Sequence, residues 1–375
     1  MSQTIGLLLS SSADYPSLGI DINQGLRSYL QSQQKTDINV IVENTGFGEQ
    51  AAINYSKAEM MLLQHDVDVL IAYFHSSNAE QLYSLAESSG KPFIFIDPGM
   101  QLPGNSPGSH AYHISLQGVH ACRLSGQMAG DHQRKVLMAS SFYDAGYSGP
   151  WGFSRGLQSA GGEVCGNYIG RFKINEPGIT PFLNLMNDSG AASVAACFSA
   201  QQSQLFLKAL VDSAYTQHYQ APIYCSPFMA EQQWLGKCPF PGGILEAIVP
   251  WFTDLSNDVN KSFADSIRQK ANKSPGMFHL LGWEAGIVAM QYFNEGFTSL
   301  NGLCYESPRG TVTMDATTHY TYAPLYKGQI IAGEQGNCVL KIEETIAVSA
   351  AEHRLALSDK PEGVLSGWRN NYLCI

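Results

Sequence analysis

Two serines stand between a strand-like run and a helix-like run, a position where hydroxyl groups can bind a ligand. The run VDVLIAYF at 67–74 is followed by His75, Ser76, Ser77 and Asn78, directly before AEQLYSLAE. Hydroxyls and free backbone N–H groups at that point suit a ligand oxygen or carboxylate. The alternative is that Ser77 or Asn78 simply caps the helix, and both roles can hold together. We take His75, Ser76 and Ser77 as candidate binding residues.

Aromatic and small side chains follow other strand-like runs in the same way. The runs in question are PFIFID, KVLMASS, ASVAACFS and APIYCS. Tyrosines at such ends can wall an apolar ligand and donate hydrogen bonds, although a core or surface tyrosine is the alternative. The candidates on these loops are Pro98, Gly99, Tyr143, Tyr147, Phe198, Ser199 and Phe228.

Catalytic and metal-binding patterns are weak by comparison. The sequence has no GxSxG elbow, no Walker A loop, no HExxH and no GxGxxG after a strand. His110, His113, His120 and His132 straddle a Gly-Pro-Ser linker and a helix, which favours scattered polar histidines over a metal site. We therefore expect no catalytic residues, no metal and no cofactor, and the protein is not expected to be an enzyme.

Strand-like and helix-like segments alternate along the chain, which predicts parallel sheets wrapped by helices. The first array has strands TIGLLLS, INVIVENTG, VDVLIAYF and PFIFID, with helices over 18–34, 49–65 and 78–89. The linker PGNSPGSHAYHISLQG separates it from a second array with strands KVLMASS, EVCGNYIG, ASVAACFS and APIYCS and a helix over 151–160. Helices at 257–271 and 282–295 are expected to return to the first lobe.

Composition limits the classes of partner. The chain has 375 residues, which suits two lobes, and its net charge of −10 with 14% charged residues argues against nucleic acid. No apolar run approaches the roughly eighteen residues of a membrane span. Cys165 and Cys197 are expected to be free, whereas Cys225 with Cys238, or Cys304 with Cys338, can pair in an oxidising compartment.

The order of several segments resembles the periplasmic binding proteins of the branched-chain amino acid ABC transporter family, over essentially their whole length. The segments are IGLLLSSSADYPSLGIDINQG, VDVLIAYFHSSNAEQ, PFIFIDPG, SSFYDAGYSGPWGF and HLLGWEAG. SPRGTVTMDATTHYTYAPLYKGQI, with His319, and LSDKPEGVLSGW look like the amide- and urea-binding branch of that family. The resemblance implies an α/β fold with two doubly wound parallel-sheet lobes of type I, joined by three crossings.

Carried over position by position, the resemblance implies ligand contacts at Ser76, with Ser77 beside it. It implies further contacts on the fourth-strand loop, above the ligand and on the second lobe, at Pro98, Gly99, Gln101, Tyr147 and either Phe198 or Ser199. Amino acid binders usually place an acidic residue where this chain reads SPFMAEQQW, with Phe228 near that place. We therefore expect a ligand with an apolar part and at most one charged end, unless Glu231 or Asp144 turns into the cleft.

The resemblance also implies the lobes and the function. Lobe one is expected over 1–117 with 252–322, and lobe two over 118–251 with 323–375. We expect a solute-binding protein that captures a small polar or amphipathic molecule between its lobes for an ABC permease, without membrane insertion. The alternative is a cytoplasmic amide-like sensor that regulates a partner protein. The first function implies a periplasmic location, with the signal peptide absent from this sequence, and the second a cytoplasmic one.

Overall fold

The first sheet consists of five parallel strands, in the order β2-β1-β3-β4-β5. The computed structural model describes residues 3–74, 76–131, 134–170 and 178–361. The strands of this sheet are β1 (Thr4–Leu9), β2 (Asn39–Asn44), β3 (Val69–Tyr73), β4 (Phe93–Asp97) and β5 (Ala111–Ser115). Every residue of β3 is buried, as expected for a strand of a parallel sheet that is covered by helices on both faces.

The helices on the first sheet come from two parts of the chain. They are α1 (Leu18–Ser32), α2 (Ala51–Leu63), α3 (Ser76–Glu80) and α4 (Tyr83–Ser89), and later α11 (Asp258–Ala271) and α12 (Met277–Glu295). Helices α1 and α12 touch backbone to backbone, because a Cβ on Gly282 would overlap the carbonyl oxygen of Ile22. We call this sheet with its helices the first lobe.

The second sheet has seven strands, in the order β15-β14-β10-β9-β8-β6-β7. They are β6 (Lys135–Ser141), β7 (Glu163–Gly170), β8 (Ser193–Cys197), β9 (Ile223–Cys225), β10 (Leu245–Val249), β14 (Leu325–Ala332) and β15 (Cys338–Ile346). The first five are parallel, whereas β14 runs antiparallel to β10 and β15 antiparallel to β14. The strands β14 and β15 therefore extend the second sheet in antiparallel orientation, which the sequence pattern did not predict.

The second sheet carries its own helices, and together they form the second lobe. The helices are α5 (Gly118–Asp131), α6 (Ser148–Ser159), α7 (Thr180–Ser189), α8 (Ala200–Asp212), α9 (Tyr215–His218), α10 (Gln232–Leu235) and α13 (Ala350–Ser358). Helices α5 and α6 repeat the close contact of the first lobe, because a Cβ on Gly156 would overlap the carbonyl oxygen of Arg123.

The chain passes between the two lobes three times, after β5, after β10 and before β14. A small antiparallel sheet of β11 (Cys304–Ser307), β12 (Gly310–Met314) and β13 (Thr321–Tyr322) precedes the third crossing. Within the described ranges, none of the helices combines the length and the apolar character that a membrane crossing requires. The α/β class with parallel-sheet lobes is thus confirmed.

Three local expectations were wrong or incomplete. The segment AYHIS, read as part of a linker, is the fully buried strand β5, because His113 N–H donates to the His319 carbonyl and Ser115 N–H to the Thr321 hydroxyl. The helix expected over 78–89 is divided into α3 and α4. The cysteines at positions 122, 165, 197, 225, 238, 304 and 338 are all free, so the structure contains neither of the two disulfide pairings considered from the sequence.

Candidate functional site

A cavity of about 790 Å³ lies between the two lobes, and we call it the large cavity. The first lobe lines it with Ser76, Ser77 and Gln101, and the second lobe with Tyr147 and Trp151. Its size is in the range of pockets that hold small molecules. Four of the residues predicted from the sequence are therefore brought together in one space.

Ser76 and Ser77, which we call the serine loop, reach this cavity because β3 ends at Tyr73 and α3 begins at Ser76. Ser76 is buried and Ser77 is half-buried. The adjoining Asn78 side chain donates to the carbonyl oxygen of Gly48 at 2.6 Å, which ties the start of α3 to the loop after β2. His75, the third candidate of this loop, lies outside the described residues.

Gln101 and Ser148 connect the lobes at the edge of the large cavity. The Ser148 hydroxyl donates to Gln101 Oε1 at 3.0 Å, and the Ser148 N–H donates to the Met100 carbonyl at 3.0 Å. Tyr147 precedes Ser148 at the start of α6 and is only 5% exposed. Gln101 on the loop after β4 and Ser148 at the start of α6 therefore meet across the cleft, and both side chains line the large cavity.

Asp144 holds two loops of the second lobe together. Its Oδ2 atom accepts a hydrogen bond from the Ser141 hydroxyl at 2.5 Å and another from the Ser199 N–H at 3.1 Å. The backbone N–H of Ser199, a candidate binding residue, is thus engaged by Asp144. This carboxylate is buried, and its charge contributes to the raised pKa of Asp14.

The remaining predicted residues lie elsewhere. Pro98 and Phe228 line a second, small cavity of about 40 Å³, whose walls include Leu116, Trp251 and Met277. Gly99 donates its N–H to Asp97, and Phe198 is fully buried and stacks on Phe206 at 4.5 Å. Tyr143 is 39% exposed and lies against Phe142. His319, singled out by the resemblance, stacks on Tyr112 at 4.9 Å.

Glu231 borders the small cavity from the second lobe. Burial raises the pKa of its carboxyl to about 7, although the Gln233 N–H and the charge of Lys237 act in the opposite direction. Its Oε2 atom is buried and has no hydrogen-bond partner among the described residues. Glu231, rather than Asp144, is thus the acidic side chain that faces this cavity with an uncompensated oxygen.

Sequence reasoning missed Asp14 and Tyr15, which lie on the loop after β1. Tyr15 is 3% exposed and packs edge-on against Phe278 of the first lobe at 5.1 Å and Trp234 of the second at 5.7 Å. Burial and the nearby Asp144 raise the pKa of Asp14 to about 6. The signal was available, because this loop leaves the same sheet edge as the serine loop.

The segment after α13 was missed as well. Asp359 accepts from Arg123 Nη1 at 2.5 Å and Arg155 Nε at 3.1 Å, and its carbonyl accepts from Trp151 Nε1 at 3.0 Å. Lys360 then lies in the wall of the large cavity and donates to the Gly104 carbonyl at 3.1 Å. This segment therefore bridges both lobes, over contacts between residues about 200 or more positions apart.

Two of the histidines considered as metal ligands, His113 and His120, are buried in the packed interior. Burial lowers the pKa of His113 to about 3 and of His120 to about 4. Among the residues that the structure describes, no group of three His, Cys, Asp or Glu side chains is arranged to hold a metal ion.

A family model described as periplasmic binding protein matches residues 2–335. The chain belongs to the periplasmic binding protein family. The expected family is thereby confirmed, and this binding protein shares with its relatives two lobes and a cleft between them. No curated protein matches its sequence at a significant level.

Solved structures of low sequence identity share the fold of this binding protein. One is an ABC transporter substrate-binding protein from Sphaerobacter thermophilus, with 15% identity, a TM-score of 0.77 and coverage of 92% of this chain and 97% of the other. Another is a Rhodopseudomonas palustris solute-binding protein in complex with benzoate, with 21% identity, a TM-score of 0.73 and coverage of 93% and 99%.

A third, described as an ABC-type branched-chain amino acid transporter from Rhodopseudomonas palustris, has 13% identity and a TM-score of 0.71, with coverage of 92% and 96%. At these identities the likeness concerns the fold.

Proposed function

We propose that this protein captures a small polar or amphipathic molecule between its lobes and delivers it to an ABC permease. The large cavity carries the proposal, because both lobes line it with hydroxyl, amide and aromatic groups of the kind that orient small ligands. Family membership and structural neighbours described as ABC transporter proteins support the same function.

The proposed mechanism is closure of two lobes, which we place at 1–117 with 252–322 and at 118–251 with 323–375. A ligand that contacts Ser76 and Gln101 on one side and Tyr147 on the other gains most of its contacts only when the lobes are closed. Such a ligand shifts the population towards the closed form. The contact from Ser148 to Gln101 is then one of the contacts made on closing.

We infer that the protein is not an enzyme. The described lining of the large cavity contains serine hydroxyls but neither histidine nor cysteine, so no nucleophile and base can be named as a pair. The acidic and basic groups at its edge, Glu80 and Lys360, are engaged with Gly104. Binding without chemistry is the function that this lining supports.

A periplasmic location follows from the proposed delivery to a permease, and the family supports it. A cytoplasmic sensor would use the same closure to regulate a partner protein. It is the less favoured function, because the structural neighbours are transport proteins.

The test is a ligand screen by thermal shift, followed by small-angle scattering of each stabilising compound. A ligand that binds only the folded protein raises Tm by mass action, and closure on it reduces the radius of gyration. Stimulation of ATP hydrolysis by a permease in vesicles, seen only with the liganded protein, then separates transport from sensing. A stabilising ligand that is turned over into another compound would contradict the proposal.

A further inference from the structure

Three buried cysteines of the second lobe lie in one hydrophobic cluster, and this inference rests on the proposed function through the oxidising location that it implies. Cys225 ends β9, Cys238 lies after α10, and Cys338 begins β15. Each of the three is 1% exposed, and each is a free thiol in the structure. Whether two of them can pair depends on the backbone, because a disulfide needs Cα atoms roughly 4.4–6.8 Å apart.

Cys238 and Cys338 lie directly opposite each other on two antiparallel segments of the chain. Pro239 pairs with Asn337 in an antiparallel bridge, so the residue before Pro239 faces the residue after Asn337. The Cys338 N–H donates to the Cys238 carbonyl at 2.8 Å, which fixes this register. Opposite residues of a hydrogen-bonded pair have Cα atoms about 5.5 Å apart, a separation that disulfides commonly span.

The two thiols also share a side of this backbone pair. Opposite residues of an antiparallel pair point to the same face, and both thiols are buried in the core of the second lobe. The Cys338 thiol donates to the Pro239 carbonyl at 3.4 Å, next to Cys238, and the Cys238 thiol donates to the Trp234 carbonyl at 3.4 Å. Thiols are weak donors, so little is lost when both rotate towards each other about their Cα–Cβ bonds.

Cys225 is the less suitable partner of either thiol. It lies in the parallel part of the second sheet, where its neighbours in register are Ala196 of β8 and Ala247 of β10. Burial raises the pKa of the Cys225 thiol, and the nearby Cys338 and Cys238 raise it further. Cys225 is therefore a neighbour of the pair and a competitor that an experiment has to exclude.

We propose that Cys238 and Cys338 form a disulfide in an oxidising compartment, which makes this position an oxidative modification site. Each thiol gives up its hydrogen as the S–S bond forms, and the two electrons and two protons reduce a disulfide donor to two thiols. The reaction accompanies folding, because burial in the folded protein raises the pKa of both thiols to about 12 and leaves very little of the reactive thiolate.

The disulfide ties α10 to the edge strand β15. Helix α10 brings Gln232 into the wall of the small cavity, and the Cys238 N–H donates to the Leu235 carbonyl at the end of that helix. The loop closed by the bond, 238–338, contains α11, α12 and the second and third crossings. The bond therefore fixes, on the second lobe, both ends of the segment that covers the first lobe.

The experiment maps the disulfide in the full chain, refolded in a mixture of oxidised and reduced glutathione. Remaining thiols are alkylated with N-ethylmaleimide, and the protein is digested with trypsin without reduction. Cleavage after Lys237 and Lys327 places the three cysteines on separate peptides, 209–237, 238–261 and 328–341. We expect mass spectrometry to show 238–261 linked to 328–341 and Cys225 alkylated.

Other linkages would overturn the proposal. These are a linked peptide that contains Cys225, alkylation of both Cys238 and Cys338, or a link from either of them to Cys374, which lies outside the described residues. None of these results bears on ligand capture, which the ligand screen tests independently.

Stability gives a second readout. Closing a loop of this length restricts the unfolded chain, so the oxidised protein should unfold about 3–5 °C above the protein kept in tris(2-carboxyethyl)phosphine. Cys238→Ala and Cys338→Ala should each abolish this difference. Cys197→Ala, the matched control at a buried thiol of β8, should retain it. A difference that survives Cys338→Ala would contradict the proposal.

Hydrogen exchange locates the effect within the chain. Reduction should speed amide exchange in α10 and at the start of β15, because the covalent tie between them is lost. Strand β4 of the first lobe should exchange at the same rate in both forms. Equal exchange of α10 in the oxidised and reduced proteins would show that the bond does not hold this helix.

Discussion

Arg309 and Glu284 form a fully buried ion pair that is bidentate, with Arg309 Nε 2.7 Å from Glu284 Oε1 and Arg309 Nη2 2.9 Å from Glu284 Oε2. The pair joins helix α12 to the turn between β11 and β12. Arg309 Nη1 also donates to Gln117 Oε1 at 3.4 Å, and that oxygen accepts the Ala323 N–H at 2.7 Å. The ion pair therefore supports the first and third crossings, where Gln117 and Ala323 lie.

Breaking this pair is expected to destabilise the protein strongly. Arg309→Met leaves the Glu284 carboxylate buried without its partner, and such a loss typically costs about 3–5 kcal/mol of the free energy of unfolding. The double variant Arg309→Met with Glu284→Leu should recover much of that loss, because no unpaired charge remains. Urea unfolding of the two variants measures both effects, and equal stability of the single and the double variant would contradict this account.

The serine loop provides a second prediction. If Ser76 and Ser77 donate to the ligand, replacing both with Ala should weaken binding by about 1–3 kcal/mol and leave the fold intact. The matched control is the double replacement of Ser88 and Ser89 by Ala, since these two serines bond to the carbonyls of Leu85 and Ala86 at the other end of the same segment. Calorimetry with a ligand from the screen measures the affinity of both double variants. An unchanged affinity of the Ser76 and Ser77 variant would mean that the serine loop has only a structural role.

The raised pKa of Glu231, at about 7, predicts how the stability of the ligand-free protein depends on pH. Between its unfolded pKa near 4 and about 7, the carboxyl ionises more readily in the unfolded chain. Its contribution to stability is therefore fully present below pH 4 and is lost as the pH rises through 7. The charge of Asp21 raises the pKa of the same carboxyl and that of Lys237 lowers it, while Glu231 raises the pKa of Tyr15.

Glu231→Gln removes this dependence. We expect its Tm at pH 8 to exceed that of the unmodified protein by roughly 1–2 °C, the shift that about 1 kcal/mol produces when the unfolding entropy is scaled to 375 residues, and the difference to vanish at pH 4. Glu334→Gln is the control, because Glu334 is exposed. Thermal unfolding across pH 4–8 measures the difference, and a variant curve parallel to that of the unmodified protein would count against it.

The contact between α1 and α12 predicts that one methyl group added at Gly282 lowers the stability of the protein. Gly282→Ala forces the added Cβ against the Ile22 carbonyl, and overpacking of this kind costs about 1–3 kcal/mol. Gly178→Ala, where a Cβ meets nothing within 4 Å, should change stability by less than about 0.5 kcal/mol. Denaturant unfolding compares the two, and equal stabilities would show that the helices move apart without strain.

Elements with local signals could be predicted from the sequence. The strands β6 and β7 have the expected bounds, Lys135–Ser141 and Glu163–Gly170, because β6 is a mostly apolar run that ends in two serines and β7 follows the glycines at 161 and 162. Strand β5 could not be predicted, because it follows a Gly-Pro-Ser stretch and its buried His113 is covered by Tyr320, whose ring stacks at 4.1 Å. The partner lies about two hundred positions away.

The same limit applies to the candidate site. Ser76, Ser77 and Tyr147 were predicted by the rule that strand ends gather ligands, and Gln101 was implied by the family resemblance. All four line one cavity. Tyr15 was overlooked although its loop leaves the same sheet edge as Ser76 and Ser77. Lys360 could not be predicted, because its place depends on a contact with Gly104 that no local pattern contains. The charged groups at the site were therefore predicted less well than the position of the cavity.

The tryptophans of the cleft give the protein an intrinsic fluorescence signal that is sensitive to movement of the lobes. Trp151 lines the large cavity, Trp251 the small one, and Trp234 touches Tyr15 of the opposite lobe. Indole emission changes in intensity and wavelength when water or a charged group moves relative to the ring. Opening and closing can therefore be followed in a stopped-flow fluorimeter without an attached dye, and replacing each indole by Phe assigns the signal to one region of the cleft.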